Sequence, residues 1–467
     1  MPVLPCRQHH FLYHNELYQF LSHCQQSVTE SPQIVSVSLE IDAVDPLAVL
    51  AQISQPNQFT FYFENKNKQQ AIAAIDAVAS FQTDGLDRFA QAQNFIDSCR
   101  NRSITIKTSK ESFTNPHFFC SFSFFDTIVH PNYPFPAATV FLPRWQINRC
   151  GDRYTLLANL LVDTETKIDE LYQNFCQTIR LINATKFNSY SNQNLSSIDI
   201  SRTKNINNLK KTISSSLKLI DAGYLRKIVL SHPLDVISEQ PYNLFQSLDN
   251  LRQIHPDCSV FATSNGQQTF MGASPERLIS IHNQQLNTDA LAGSAPRGKT
   301  LVEDTALANC LMRSVKEQHE HRVVSDFITQ SLHQLGIIPQ MRSPKLRQLS
   351  NIQHLWTPIQ AEVPTHVHPL EIVAKLHPTP AVAGVARDTA CAKIQTYETF
   401  ERGLYAAPIG WVDDQGNSEF IVGIRSALID RDRARLYAGA GIVAGSDPDK
   451  EIAEIQLKFQ ALLKALV

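Results

Sequence analysis

Hydrophobic positions along this chain follow two periods. Near the C-terminus, Ile452, Ile455, Phe459, Leu462, Leu463 and Leu466 fall on one stripe of a helical wheel, with Glu451, Glu454 and Lys458 along its border. Ser446 or Asp447 is placed to cap that helix, and Pro448 and Asp449 suit its first turn. A second helical pattern runs from Glu303 to Leu335 through Leu307, Leu311, Val324, Phe327, Ile328 and Leu332, and helices are also expected over residues 11 to 27 and from about Ile206 to Ala222. Strands are expected at Ile34 to Ile41, His117 to Phe125 and Arg226 to Ser231, and as a pair within Ala137 to Val162 that turns near Gly151-Asp152. Two more should surround Gly272-Ala-Ser-Pro-Glu-Arg-Leu278, and Thr288 to Gly298 reads as a strand passing into a loop. Strands mixed irregularly with helices predict an α+β fold, and no repeat of fixed period is present.

At 467 residues the chain has ample material for a core. Glycine use divides it: Gly85, Gly151 and Gly223 are the only glycines before Gly266, and the other thirteen lie from there onward. The second half therefore repeatedly brings backbone close to something, and chemistry is expected there. Phe187 to Asn208, rich in Ser and Asn, reads as a linker or long surface loop. The expected organisation is a scaffold portion over residues 1–200 and a catalytic portion over residues 201–467. A formal net charge of -2 offers no basic face for nucleic acid and no polybasic membrane signal, so a small-molecule partner is expected. The nine cysteines are odd in number, scattered and never spaced C-x-x-C, which indicates neither a disulfide framework nor a zinc knuckle. With no signal-peptide pattern and no apolar run of membrane-spanning length, a soluble cytoplasmic protein is expected.

Several residues in the second half could carry chemistry. Glu317, Glu320, His321 and Val324 share one helix face, and the C-terminal helix sets carboxylates beside its own apolar stripe. Two such helices could hold one hard divalent cation, and Mg²⁺ suits sparse carboxylate ligation completed by water and substrate oxygens; solvated glutamates have the same local signature. Gly439 and Gly441 would let backbone N–H groups approach an anion. Strand alternation sends Arg226 and Lys227 to opposite faces, so one of them points into protein, where a desolvated lysine can serve as a general base; a strand-end lysine reaching solvent looks the same. Glu276 follows an apolar strand, and a carboxyl kept from water gains the raised pKa of a general acid, unless it pairs with Arg277. Arg425, inside Phe420-Ile-Val-Gly-Ile-Arg-Ser-Ala, demands an anion if its strand is central. His366, His368 and His377 have no recognised zinc spacing. No phosphate-binding glycine loop and no serine-nucleophile elbow is present.

With these residues in view, Leu209 to Leu466 resembles the chorismate-utilising enzymes: isochorismate and salicylate synthases and the large subunits of anthranilate and aminodeoxychorismate synthases. The likeness rests on Lys227-Ile-Val-Leu-Ser, Gly272-Ala-Ser-Pro-Glu, Leu291-Ala-Gly-Ser-Ala-Pro-Arg-Gly, Glu320-His-Arg-Val-Val, Leu376-His-Pro-Thr-Pro-Ala, Gly410-Trp-Val, Ile424-Arg-Ser-Ala and Tyr437-Ala-Gly-Ala-Gly-Ile-Val, in that order. Lys227 and the Leu-His-Pro-Thr-Pro-Ala run bring it nearest to isochorismate synthases. The N-terminal portion matches less well: where relatives often carry a glycine pair, this chain has Ser121-Phe-Ser-Phe-Phe-Asp126.

The resemblance implies one large α+β unit of stacked, mainly antiparallel sheets with helices outside and the site between the two portions. It implies Mg²⁺ held by Glu320 and Glu454 with Glu451 helping through water, and chorismate bound by Gly293, Ala381, Tyr405, Arg425, Gly439 and Lys458. Lys227 would be the base toward water attacking C2, and Glu276 the acid toward the departing C4 hydroxyl. The implied activity is an isomerase reaction, chorismate to isochorismate, supplying quinone, siderophore or salicylate biosynthesis. Salicylate synthase and a catalytically inactive chorismate-binding relative remain the alternatives; Ala381, where pyruvate-eliminating relatives carry a hydroxyl residue, favours stopping at isochorismate. No glutamine amidotransferase subunit is expected, and a monomer is.

Overall fold

The computed structural model describes residues 3–5, 16–28, 31–107, 115–185, 198–200, 206–349 and 352–466. Its strands form one continuous, forked sheet. The fork lies at Ala138–Cys150, a strand long enough to serve three neighbours. One edge pairs along its whole length with Gln70–Thr83. The other edge is shared: residues 138–141 pair with His117–Phe122, while residues 145–150 pair with Arg153–Val162 across the turn at Gly151. Beyond Arg153–Val162 lie Gln33–Glu40, Ser103–Lys107 and Val3–Pro5, and the last two pairings of that series are the parallel ones among the described strands.

From Gln70–Thr83 one arm continues through Thr60–Asn65, Ser259–Ser264, Thr269–Ser274, Ser426–Asp430 and Arg433–Val443 to Lys227–Ser238. From His117–Phe122 the second arm runs through Pro408–Asp413, Ser418–Val422, Arg277–His282 and Gln285–Pro296 to Ile352–Glu362. Three strand spacings in a flat sheet would separate Phe61 from Phe119 by about 14 Å. Their ring centroids are 4.7 Å apart, so the sheet folds over on itself and the arms pack through a phenylalanine-rich core. The α+β expectation and the mainly antiparallel sheet hold. Strands from both halves of the chain pair directly, as Thr60–Asn65 does with Ser259–Ser264.

Local departures from the sequence reading have physical causes. The long helix expected from Glu303 to Leu335 is two helices, Leu301–Arg313 and Val315–His333. Ser314 ends the first and caps the second, its Oγ accepting from the Glu317 N–H, and no glycine or proline announces the break. The region around Gly272 contains three strands rather than two, because Gly272 and Ala273 stay in the ladder and the chain turns only at Pro275. The strand expected to reach Phe125 stops at Phe122, where the Ser123 hydroxyl donates to the Phe125 carbonyl and the bend forms without glycine. The proposed linker lies mostly outside the described residues; within it, Ile198–Ile200 is a strand paired with the end of Lys227–Ser238. Residues 11–15 of the first expected helix are likewise outside, and Glu16–Ser27 is helical. Asp447 caps the C-terminal helix Pro448–Leu466, accepting from the N–H groups of Asp449 and Lys450. Among the described residues no helix is long and apolar enough to cross a membrane, and the eight described cysteines are free.

Candidate active site

Two short peptides carry the chain from one arm of the fork to the other, and each delivers a charged side chain. Ser274-Pro275-Glu276-Arg277 leaves the first arm for the second, and Val422-Gly423-Ile424-Arg425-Ser426 returns. The crossings are laced together: the Val422 N–H donates to the Glu276 carbonyl (3.1 Å), the Ala273 N–H to the Arg425 carbonyl (3.1 Å) and the Ser274 hydroxyl to the Val422 carbonyl (2.6 Å). Arg425 is held at φ +50°, a left-handed conformation costing about 1–3 kcal/mol that persists only where surrounding bonds enforce it. Such strain is concentrated at functional positions.

Around these crossings lies a cavity of about 120 Å³ whose walls include Lys227, Glu276, Gly293, Glu320, Ala381, Tyr405, Arg425, Gly439, Glu454 and Lys458. Ten of the eleven residues singled out in the sequence thus face one space. Glu451, the eleventh, sits one turn before Glu454 on the same helix, is buried, and has its carboxyl pushed up by that burial and then by Glu454 and Glu320, against the Ser446 hydrogen bond. A much larger groove, about 1090 Å³, runs along the other side of Lys227–Ser238. It holds none of the eleven residues, so clustered chemistry rather than volume identifies the site.

Lys227 is 3 % exposed and its neighbour Arg226 is on the surface, so one of the pair points into protein as alternation requires, and it is the lysine. Its Nζ donates to Glu320 Oε1 at 2.6 Å. Burial alone would raise the Glu320 carboxyl, but the Lys227 charge and hydrogen bond hold it below the usual carboxylate range. Lys458 is similarly engaged, with Nζ 2.7 Å from Glu454 Oε1 and 2.7 Å from the Gly439 carbonyl oxygen. Gly439 therefore meets Lys458 through its carbonyl. The missing side chains matter as space: a Cβ on Gly441 would stand 3.0 Å from Lys227 Cε, and one on Gly439 3.0 Å from the Tyr405 hydroxyl.

Glu276 differs from the other carboxyls. It is 7 % exposed, and burial pushes its pKa up to about 7, with Lys227 acting against the rise and Asp289 adding to it. Arg277, which could have neutralised it, instead makes a bidentate pair with Asp289 on the other side of the strand. Among the described residues no carboxylate pairs with Arg425: its nearest polar contacts are His354 Nε2 at 3.5 Å and Cys258 Sγ at 4.0 Å. Burial pushes that guanidinium down, the cost that an incoming anion would offset. Tyr405 keeps its phenolic proton, raised by burial, and stacks on Tyr437 with ring centroids 5.2 Å apart.

Two site residues escaped the sequence assignment. Ser294 and His354 meet across paired strands, Ser294 Oγ to His354 Nδ1 at 2.8 Å, and burial together with Arg425 keeps the imidazole neutral. Only strand register could have revealed them. Glu317 shares the helix face of Glu320, as its spacing predicts, and accepts from the Ser294 N–H at 3.1 Å; burial, then Glu320, raises its carboxyl. Gly293 has φ +79° at a bulge between Ala292 and Ser294, which turns that N–H toward Glu317.

Glu317, Glu320, Glu451 and Glu454 thus bring four carboxylates from two helices to one end of the cavity. They are the hard oxygen donors that Mg²⁺ takes. Two of the four are paired here, Glu320 with Lys227 and Glu454 with Lys458, and among the described residues no three metal-ligating side chains are gathered as a coordination group. His368 caps the helix Pro369–Leu376 and His377 meets the Phe124 carbonyl, so two of the three histidines set aside from a zinc reading have structural partners.

Residues 19–467 match the family described as chorismate binding enzyme. This chain belongs to that family. Among its members, the salicylate biosynthesis isochorismate synthase of Pseudomonas aeruginosa is 31% identical over 455 residues, covering 95% of this chain and 92% of its own. Isochorismate synthase MenF of Escherichia coli is 29% identical over 465 residues, covering 96% of this chain and 97% of its own. The solved structure of the Escherichia coli enzyme superposes with a TM-score of 0.78, 27% identity and coverage of 97% and 99%. The shared architecture of the chorismate-binding enzymes therefore spans the N-terminal portion too, where the sequence likeness was faint.

Proposed function

We propose that this chorismate-binding enzyme is an isochorismate synthase, an isomerase that adds water at C2 of chorismate and expels the C4 hydroxyl. The observation that carries the proposal is one cavity in which a buried lysine and a carboxyl of pKa about 7 face an arginine that no carboxylate among the described residues pairs with. Relatives named as isochorismate synthases align over nearly the whole chain.

Arg425, with Tyr405 as a neutral donor and the backbone near Gly439 beside it, receives the enolpyruvyl carboxylate; Lys458 and Gly293 complete the anion site. Glu320 and Glu454 would hold Mg²⁺, with Glu451 and Glu317 helping beside them, and the ion would supply positive charge to offset the ring carboxylate. Lys227 takes a proton from the water that attacks C2. Glu276 gives its proton to the C4 oxygen, which leaves as water while the ring double bonds migrate. One proton is taken and one given, so the reaction is an isomerisation. Water is a poor nucleophile and hydroxide a poor leaving group, and each proton transfer typically supplies about 10²-fold or more.

Pure protein incubated with chorismate and Mg²⁺ is expected to give isochorismate by chromatography and no fluorescent salicylate. Salicylate would move the assignment to a synthase that also eliminates pyruvate, despite Ala381 in the cavity wall. Ammonium-dependent anthranilate would make the chain an amine-adding relative, and no turnover would leave a binding protein. Glu320→Gln is expected to raise the Mg²⁺ concentration for half-maximal rate by at least about tenfold, a loss seen even for outer-shell partners of metal sites. An unchanged metal titration removes Glu320 from the metal's ligands.

A further inference from the structure

Behind the cavity, the strand Lys227–Ser238 has an incomplete outer edge. Its first residues pair with Gly384–Val385, and the Val229 N–H donates to the Ala383 carbonyl (2.8 Å). Its last residues pair with Ile198–Ile200. Between those two short partners the described residues supply no strand, and the backbone groups of Val229 and Ser231 that face this edge are buried. Left unpaired they would destabilise the strand's position.

An ion pair fills the gap. Arg402, 1 % exposed, donates from Nη2 to the Val229 carbonyl (2.8 Å), from Nη1 to the Val382 carbonyl (3.0 Å), and from Nε and Nη2 to the two oxygens of Glu398 (2.7 and 2.6 Å). Glu398 Oε1 in turn accepts from both the N–H and the hydroxyl of Ser231, each at 2.8 Å. One side-chain pair thus bonds the strand edge as a neighbouring strand would, at Val229 O and Ser231 N. The same guanidinium lies 4.3 Å from the Phe124 ring centroid and 5.9 Å from that of Tyr405. Neither Glu398 nor Arg402 lines the cavity, yet Lys227, Val229, Val382 and Tyr405 all do.

We propose that the Glu398–Arg402 pair is a positioning device: it locks the Lys227 strand against the Ala381–Val382 turn and the Tyr405 segment, and so sets where Nζ stands relative to Glu276. The inference rests on the reading of Lys227 as the base. The chemistry requires a planar, forked cation, because four hydrogen bonds to four different oxygens exceed the three N–H donors of an ammonium. Misplacing a reacting group by about 1 Å can cost about a hundredfold in rate without changing what binds. The charged anion contacts of Arg425 and Lys458 come from other elements, so the main part of substrate affinity does not pass through this lock, which reaches the substrate-binding residues only at Ala381 and Tyr405.

Arg402→Lys and Glu398→Gln test it, assayed well below each variant's own unfolding midpoint so that instability cannot imitate the effect. The expected result is a kcat lowered between about tenfold and a hundredfold, with KM for chorismate within about twofold of the unaltered chain. Near-normal kcat in both variants, or a risen KM at unchanged kcat, overturns the proposal. Should neither variant fold, Ser231→Ala removes one bond to Glu398 alone; a several-fold fall in kcat at constant KM supports the lock and an unchanged kcat refutes it. The unaltered chain is assayed first with chorismate. Failure there sinks the assigned activity, whereas the variant-to-parent ratio tests the positioning role alone.

Discussion

Lys227→Ala is expected to lower kcat by about 10²- to 10⁴-fold, the range for loss of a general base, while the chain remains folded. The lysine is 3 % exposed at the start of the strand that ends the first arm, and its side chain lines the same cavity as Glu276, Arg425 and Tyr405. Truncation alone would not separate a base from a fixed positive charge, because both vanish together. Lys227→Arg makes that separation. Arginine retains the charge and can still meet Glu320, but its guanidinium does not surrender a proton near neutral pH. A base role predicts that the arginine variant is as impaired as the alanine variant. Recovery of most of the parental rate by arginine would reassign Lys227 to electrostatic support, and circular dichroism with calorimetric chorismate binding would show that neither variant failed by unfolding.

Much of this site was legible because its chemistry conflicts with its surroundings. Lys227 stands out in an apolar strand and Arg425 in an apolar run, which the structure makes the crossing between two strands and not a strand itself, and the carboxylates along two amphipathic faces follow from helical spacing. What could not be read depends on contacts between distant segments. His354 meets Ser294 only through the register of two strands 60 residues apart. The fork at Ala138–Cys150 arises because one strand's edge is divided between two partners, and no local pattern encodes that. Ser314 splits a helix whose apolar spacing runs on through the break. Lys227, expected as a desolvated base, forms an ion pair with Glu320, and the glycine at 439 presents its carbonyl to Lys458, because the side chains they meet come from two helices distant in sequence. Burial of Glu276 follows from the crossing between arms, which sends Arg277 to Asp289 and leaves the glutamate without a cation of its own.

That isolation gives Glu276→Gln opposite effects on activity and stability. A general acid must carry its proton, so with a pKa of about 7 the parental kcat/KM is expected to fall about tenfold per unit as pH rises above that value. Glutamine matches the shape, cannot donate a mobile proton, and should abolish turnover at every pH. The sign of the stability effect follows from linkage. Below the ordinary glutamate pKa of 4.5 both folded and unfolded chains hold the proton, and ionisation costs the native state nothing. Between 4.5 and about 7 the unfolded chain ionises while the buried carboxyl does not, so native stability declines; above about 7 the loss is complete, about 3 kcal/mol in all. The glutamine variant has no such decline. Urea unfolding of both proteins at about pH 4 and about pH 8 should therefore show the variant gaining up to about 3 kcal/mol on the parent at the higher pH. If the difference between the two proteins is the same at both pH values, Glu276 titrates as an ordinary carboxylate, and it cannot hold the proton that the C4 hydroxyl needs in order to leave.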